Sequence, residues 1–135
     1  MRSYIFIFFI FFGVITVLYF SWIGNPRFSL STIVPSWIAN WADKHDNDNI
    51  RTAIPLFFLG IISGLYLTIK KSSRKKWFMS WVLLVILVLV AEVGQLLLPL
   101  RTSDLRDISW GALGGALGLL LMCFLKLMLN KKNKS

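Results

Sequence analysis

AEVGQLLLPLRTSDLRDISWGALGGALGLLL, residues 91–121, sets a carboxylate and an amide, Glu92 and Gln95, inside a run of aliphatic residues. A charged turn follows from Pro99, carrying Arg101, Asp104, Arg106 and Asp107, and then an apolar segment spaced by glycines. Ionisable groups are costly in hydrocarbon, and where they occur they face a bundle interior or a wet cavity. The stretch therefore reads as the ends of two membrane helices joined by a polar turn.

The rest of the chain agrees. Its 135 residues are 56% hydrophobic, with a mean hydropathy of +0.69. A helix needs roughly 20 apolar residues to cross a bilayer. Four blocks approach that length: residues 4–23, 53–69, 77–98 and 108–129. The expected fold is an all-α integral membrane protein with four transmembrane helices, forming one domain over residues 1–135. No length remains for a separate soluble domain.

Charge placement sets the orientation. A formal net charge of +9 raises nucleic acid as a partner, because basic chains attract phosphates. Its distribution argues against that partner. Arg2, the cluster Lys70, Lys71, Arg74, Lys75 and Lys76, and the tail Lys126, Lys131, Lys132 and Lys134 flank the blocks on one side, with no acid among them. On the other side, Arg27, Lys44, Arg51, Arg101 and Arg106 are balanced by Asp43, Asp46, Asp48, Asp104 and Asp107. The positive-inside rule makes the basic side cytoplasmic. The expected topology is N-in, C-in, in a plasma membrane, with two outer loops.

The first block is too long for the h-region of a signal peptide and lacks a small-x-small site after it, so it reads as a retained helix. Tyr19 and Trp22 suit an outer aromatic belt, and Trp77 and Trp81 an inner one. In the first outer loop, residues 24–52, Pro26 and Pro35 break regular structure. PSWIANWADK then predicts a short interfacial helix starting at Pro35 or Ser36, with Trp37, Ile38 and Trp41 on one face. His45 is the only histidine, too little for a zinc site, and neither a metal nor a cofactor is expected. Pro55 is read near the start of the second span, where a missing N–H costs little.

Glu92 falls about 10 Å below the turn at Pro99, at about 1.5 Å per residue. Gln95 shares its helix face one turn nearer the outside. The bland reading is a buried linkage that pins the loop to the bundle. The functional reading is a carboxylate that binds a polar headgroup or moves a proton. Arg101, Asp104 and Asp107 recur every third residue, so one helical turn would gather them. Asp107 suits the N-cap of the fourth span, and Arg101 suits bidentate capture of a phosphate or carboxylate. Gly111, Gly114, Gly115 and Gly118 form two interleaved GxxxG pairs, a surface for tight packing within the chain or in a homo-oligomer. Gly60 and Gly64 form a similar pair, and Cys123 reads as a packing residue.

Glu92-x-x-Gln95, then Pro99-x-Arg101, Asp104, Asp107 and a glycine-rich helix through Gly118 resemble the VanZ-like family of small bacterial membrane proteins. Two positions depart from the family pattern. Gly111 stands where the family usually has an asparagine. Asp43 and Lys44 match its Asp-Lys pair, but Asp46 stands where a histidine is usual and His45 falls one residue early. The founding member is associated with resistance to teicoplanin, a lipid-tailed glycopeptide.

The expected site is an outward-facing polar pocket of Glu92, Gln95, Arg101, Asp104 and Asp107. Its expected ligand is a lipid-linked headgroup or a lipoglycopeptide, with membrane lipids as further partners. Two other classes stay open at this point. An intramembrane enzyme on a lipid-linked substrate would use Glu92 as general acid or base, although the chain shows no nucleophile–base pair or metal cluster. A small proton-coupled transporter would use Glu92 as its carrier.

Overall fold

The computed structural model describes residues 2–24, 27–30, 32–44, 47–100 and 103–132. Regular structure among these residues is entirely helical: α1 (Arg2–Trp22), a single 3-10 turn (Phe28–Leu30), α2 (Ser36–Ala42), α3 (Asp48–Ile69), α4 (Arg74–Gln95) and α5 (Leu105–Lys132). Four segments are long and apolar enough to cross a membrane: Ser3–Trp22, Ile50–Ile69, Arg74–Gln95 and Leu105–Lys131. The four-span reading holds, and the helix ends shift for identifiable reasons.

α3 begins at Asp48, so Arg51 and Thr52 belong to the helix and not to the loop before it. Pro55 is consequently inside α3 and not at its start. Lacking an N–H, it forgoes the bond to the Arg51 carbonyl one turn earlier. At its far end α3 closes in a Schellman motif. Lys71 takes a left-handed conformation (φ 48°), while the Lys71 and Ser72 amides donate to the Thr68 and Leu67 carbonyls at 3.0 and 2.9 Å. This tight reversal makes α3 and α4 antiparallel neighbours. α4 ends at Gln95, short of the apolar run, because Pro99 disfavours helix at the residue before it. The amides of Leu96, Leu97 and Leu98 bond instead to carbonyls three residues back.

Glycine decides which helices lie closest. A Cβ on Gly118 would strike the Phe57 carbonyl oxygen and stand 3.0 Å from Gly60 Cα; one on Gly114 would strike the Ala53 carbonyl. Those atoms are all backbone of α3, so α3 and α5 touch main chain to main chain. Gly111 and Gly115 take side chains of α4, Val88 and Leu84. The glycine surface is thus covered by α3 and α4 within the chain. Leu56, Leu59, Leu84, Leu87, Val88 and Leu119 fill the space between these helices.

α1 is attached differently. Most of its large side chains are exposed, Tyr4, Phe8, Phe11 and Phe12 among them, as on a helix turned toward hydrocarbon. Trp22 anchors its end: the indole N–H donates to the Ala91 carbonyl at 3.1 Å, in a slot that a Cβ on Gly94 would fill. Trp81, half-buried near the start of α4, donates its indole N–H to the Ala112 carbonyl of α5 at 3.1 Å.

Candidate functional site

At the end of the bundle that carries α2, the four long helices splay around a cavity of about 810 Å³. α1 contributes Thr16 and Ser21 to its wall, α3 contributes Arg51, Thr52 and Pro55, and α4 contributes Glu92 and Gln95. The rest of the lining is largely apolar. α2 and the chain before it form one side, through Phe28, Ile38 and Trp41.

Glu92 is the most enclosed charged side chain described, at 3% exposure. One carboxylate oxygen accepts the Asp104 amide at 3.2 Å and the other accepts from the Gln95 side-chain amide at 3.5 Å. The linkage expected between the third span and the following turn is therefore present, made through main chain. Gln95 is itself buried. Among the described residues no buried side-chain nitrogen or oxygen lacks a hydrogen-bond partner, so the polar floor is held in place by its own bonds.

The turn differs from its sequence reading. α5 begins at Leu105, three residues before the apolar run, and its N-cap is Asp104 instead of Asp107. The Asp104 carboxylate accepts the Arg106 amide at 2.9 Å, and its carbonyl accepts the Asp107 amide at 3.0 Å. Asp107 falls in the first turn of α5, where a negative charge is favoured by the helix dipole. Glu92, Asp104 and Asp107 are thereby close enough to interact electrostatically, and both aspartates line the cavity. Arg101 lies outside the described residues, as do His45 and Asp46. Arg27, Arg51 and Arg106 bring positive charge to the same lining.

Arg51 and Thr52 line the cavity without having been singled out in the sequence, and Asp43, read there only as half of an Asp-Lys pair, joins them. The missed signal for Thr52 is its place one turn before the buried Leu56, on the stripe that faces the bundle. Asp43 organises the loop. Its carboxylate accepts the amides of Phe28 and Ser29 at 2.7 and 2.9 Å. The Phe28 ring packs edge-on to Phe20 of α1 and under the Arg51 guanidinium, 4.9 Å away. Ala39 and Ala42 of α2 are both buried, and α2 packs chiefly against the 3-10 turn. Trp41 lines the cavity at 38% exposure, and Trp37, one turn earlier in α2, is 74% exposed.

Partial burial pushes the Asp43 carboxyl up, but the Ser29 and Phe28 hydrogen bonds and the Arg51 charge hold it below its usual range. A carboxylate with a depressed folded pKa stabilises its surroundings above its unfolded pKa, and that contribution is lost as pH falls through the folded value. Asp43→Ala should therefore speed hydrogen exchange at the Phe28 and Ser29 amides at neutral pH. The difference from wild type should vanish in acid, once the native carboxyl is protonated. Equal protection in both proteins at neutral pH would refute this role.

Among the described residues no group of three or more His, Cys, Asp or Glu side chains is arranged to hold a metal ion. What the cavity offers is a polar floor, apolar walls and a rim of mixed charge, which suits a molecule with both a polar head and an apolar part. A family model described as VanZ/LLP1 matches residues 4–126 of the chain. No curated protein and no solved structure matches it.

Proposed function

The chain belongs to the VanZ/LLP1 family, and from that premise we propose that it acts at the outer face of a bacterial cell membrane. There it receives the polar head of a lipid-linked molecule or lipoglycopeptide in the cavity around Glu92. The topology in this reading is N-in, C-in. Lys70, Lys71, Arg74, Lys75 and Lys76, with no acid among them, flank the spans at the end opposite the cavity; under the positive-inside rule that end would be cytoplasmic and the cavity would face out. α2, with Trp37 and Trp41, then lies at the outer headgroup level.

One observation carries the reading: a carboxylate at 3% exposure is fixed on two sides, yet lines an 810 Å³ cavity that other polar groups also line. A linkage needed only for packing has no use for such a space. Carboxylates are the strongest acceptors for a ligand's N–H or O–H groups, and the apolar wall suits an attached acyl chain. Binding there would change how a lipid-tailed antibiotic such as teicoplanin, or an envelope precursor, engages the cell surface.

The test is susceptibility of a host expressing the wild type or Glu92→Gln at matched membrane levels. The wild type should protect against teicoplanin and leave vancomycin, which has no lipid tail, unaffected, and Glu92→Gln should abolish that protection. Equal protection by the variant would remove the cavity from the function. Unchanged teicoplanin susceptibility and unchanged envelope lipid content on deletion would sink the proposal as a whole.

A further inference from the structure

A second groove opens at the opposite end of the bundle, between the start of α4 and the second half of α5, with a volume of about 460 Å³. Its walls are Trp77, Phe78, Trp81, Leu119, Leu120 and Leu127. Arg74 and Lys126 are the charged residues in its lining, and no acid accompanies them. The Lys126 ammonium stands 5.6 Å from the centre of the Trp77 ring, a cation–π contact that links α5 to α4 at the groove mouth.

We propose that this groove binds one anionic phospholipid of the cytoplasmic leaflet, its phosphate between Arg74 and Lys126 and an acyl chain along the apolar slot. Charge complementarity selects the headgroup, since both cations sit at one end of an otherwise apolar lining. Dimension supports the chain. From Lys126 to Ala116, the far lining residue on α5, the slot runs about 15 Å at 1.5 Å per residue. That is half of a hydrocarbon core of about 30 Å, the depth of one leaflet. Lys70, Lys71, Lys75 and Lys76 flank the same end and would raise the local concentration of anionic lipid. The inference shares the proposed topology but not the proposed ligand of the Glu92 cavity. It stands or falls separately from that ligand.

Cys123 lines the groove and is the chain's one cysteine, so its reactivity reports occupancy without an introduced label. Alkylation of Cys123 by N-ethylmaleimide would be followed in the full chain in neutral detergent, with added phosphatidylglycerol or phosphatidylcholine. Each basic residue contributes about a fivefold change in affinity for an anionic surface. Phosphatidylglycerol should therefore protect Cys123 at concentrations about 25-fold lower than phosphatidylcholine does. Arg74→Gln with Lys126→Gln should erase that difference while the melting temperature stays unchanged. Lys131→Gln, outside the groove lining, serves as the charge control and should keep the preference.

Equal protection by the two lipids, or none by either, would overturn the proposal. So would a preference that survives the double variant, and so would protection that follows protein concentration, which would mean a second copy of the chain. A double variant that melts lower is replaced by Arg74→Gln alone, which should lose about fivefold of the preference.

Discussion

Gly118→Val is expected to separate α3 from α5 and to leave little folded protein in the membrane. A Cβ at this position meets the Phe57 carbonyl, the Ile61 amide nitrogen at 2.9 Å and Gly60 Cα at 3.0 Å. None of these can rotate aside as a side-chain tip would. Overpacking a core costs about 1–3 kcal/mol when side chains can give way, and here the helices themselves must move. The loss should therefore reach the top of that range or exceed it. Gly115→Ala should cost less, because its nearest neighbours are atoms of the Leu84 side chain, the closest at 3.1 Å. Gly24→Ala, with nothing within 4 Å, should be neutral. Thermal aggregation of the three variants in detergent checks this order. A Gly118→Val protein that melts with wild type would mean that the main-chain contact of α3 and α5 is not what closes the bundle.

The second large effect separates fold from function at a single residue. Glu92→Gln keeps an acceptor for the Asp104 amide and a partner for Gln95, so the turn before α5 should hold and the protein should melt near wild type. What it loses is the carboxyl group that the cavity presents to a ligand, and the proposed protection against teicoplanin should disappear with it. Glu92→Leu removes the acceptor as well. A buried donor left without a partner costs about 1–3 kcal/mol, so this variant should melt lower and lose protection too. Stability and susceptibility measured side by side distinguish the outcomes. If Glu92→Gln melts as low as Glu92→Leu, the carboxylate is chiefly a structural pin. If Glu92→Gln still protects, the cavity is not where the ligand is recognised.

These effects also show what could be read from residues alone. The four spans were legible because membrane-length apolar blocks carry their own signal, and Glu92 and Gln95 were legible because a spacing of three keeps both on one helix face. The helix ends were not. At Asp48–Thr52 and Asp104–Asp107 the first turns are polar, and polar first turns look like loop until a cap or a packing partner is seen. That is why Asp107 was placed at the cap that Asp104 occupies, and why Thr52 and Arg51 escaped notice. The glycines announced a close approach but not its partner. Gly60, read in the sequence as half of a second small-residue pair, stands opposite Gly118, and Gly114 also meets α3 at Ala53, while α4 meets Gly111 and Gly115 through Val88 and Leu84. In the sequence Asp43 stands out only for its neighbour Lys44, whereas its work in the fold is to bind the Phe28 and Ser29 amides fifteen and fourteen residues earlier.

If the Glu92 cavity opens to the outside and takes a lipid-tailed ligand, as proposed, its wall can be reached from outside the cell until that ligand fills it. Thr52→Cys in a Cys123→Ser background places one thiol in its wall, and a membrane-impermeant maleimide added to whole cells reports whether that thiol can be reached. Labelling is expected in intact cells, slowed by teicoplanin and not by vancomycin. Labelling that requires permeabilised cells, or that teicoplanin leaves unchanged, would contradict it.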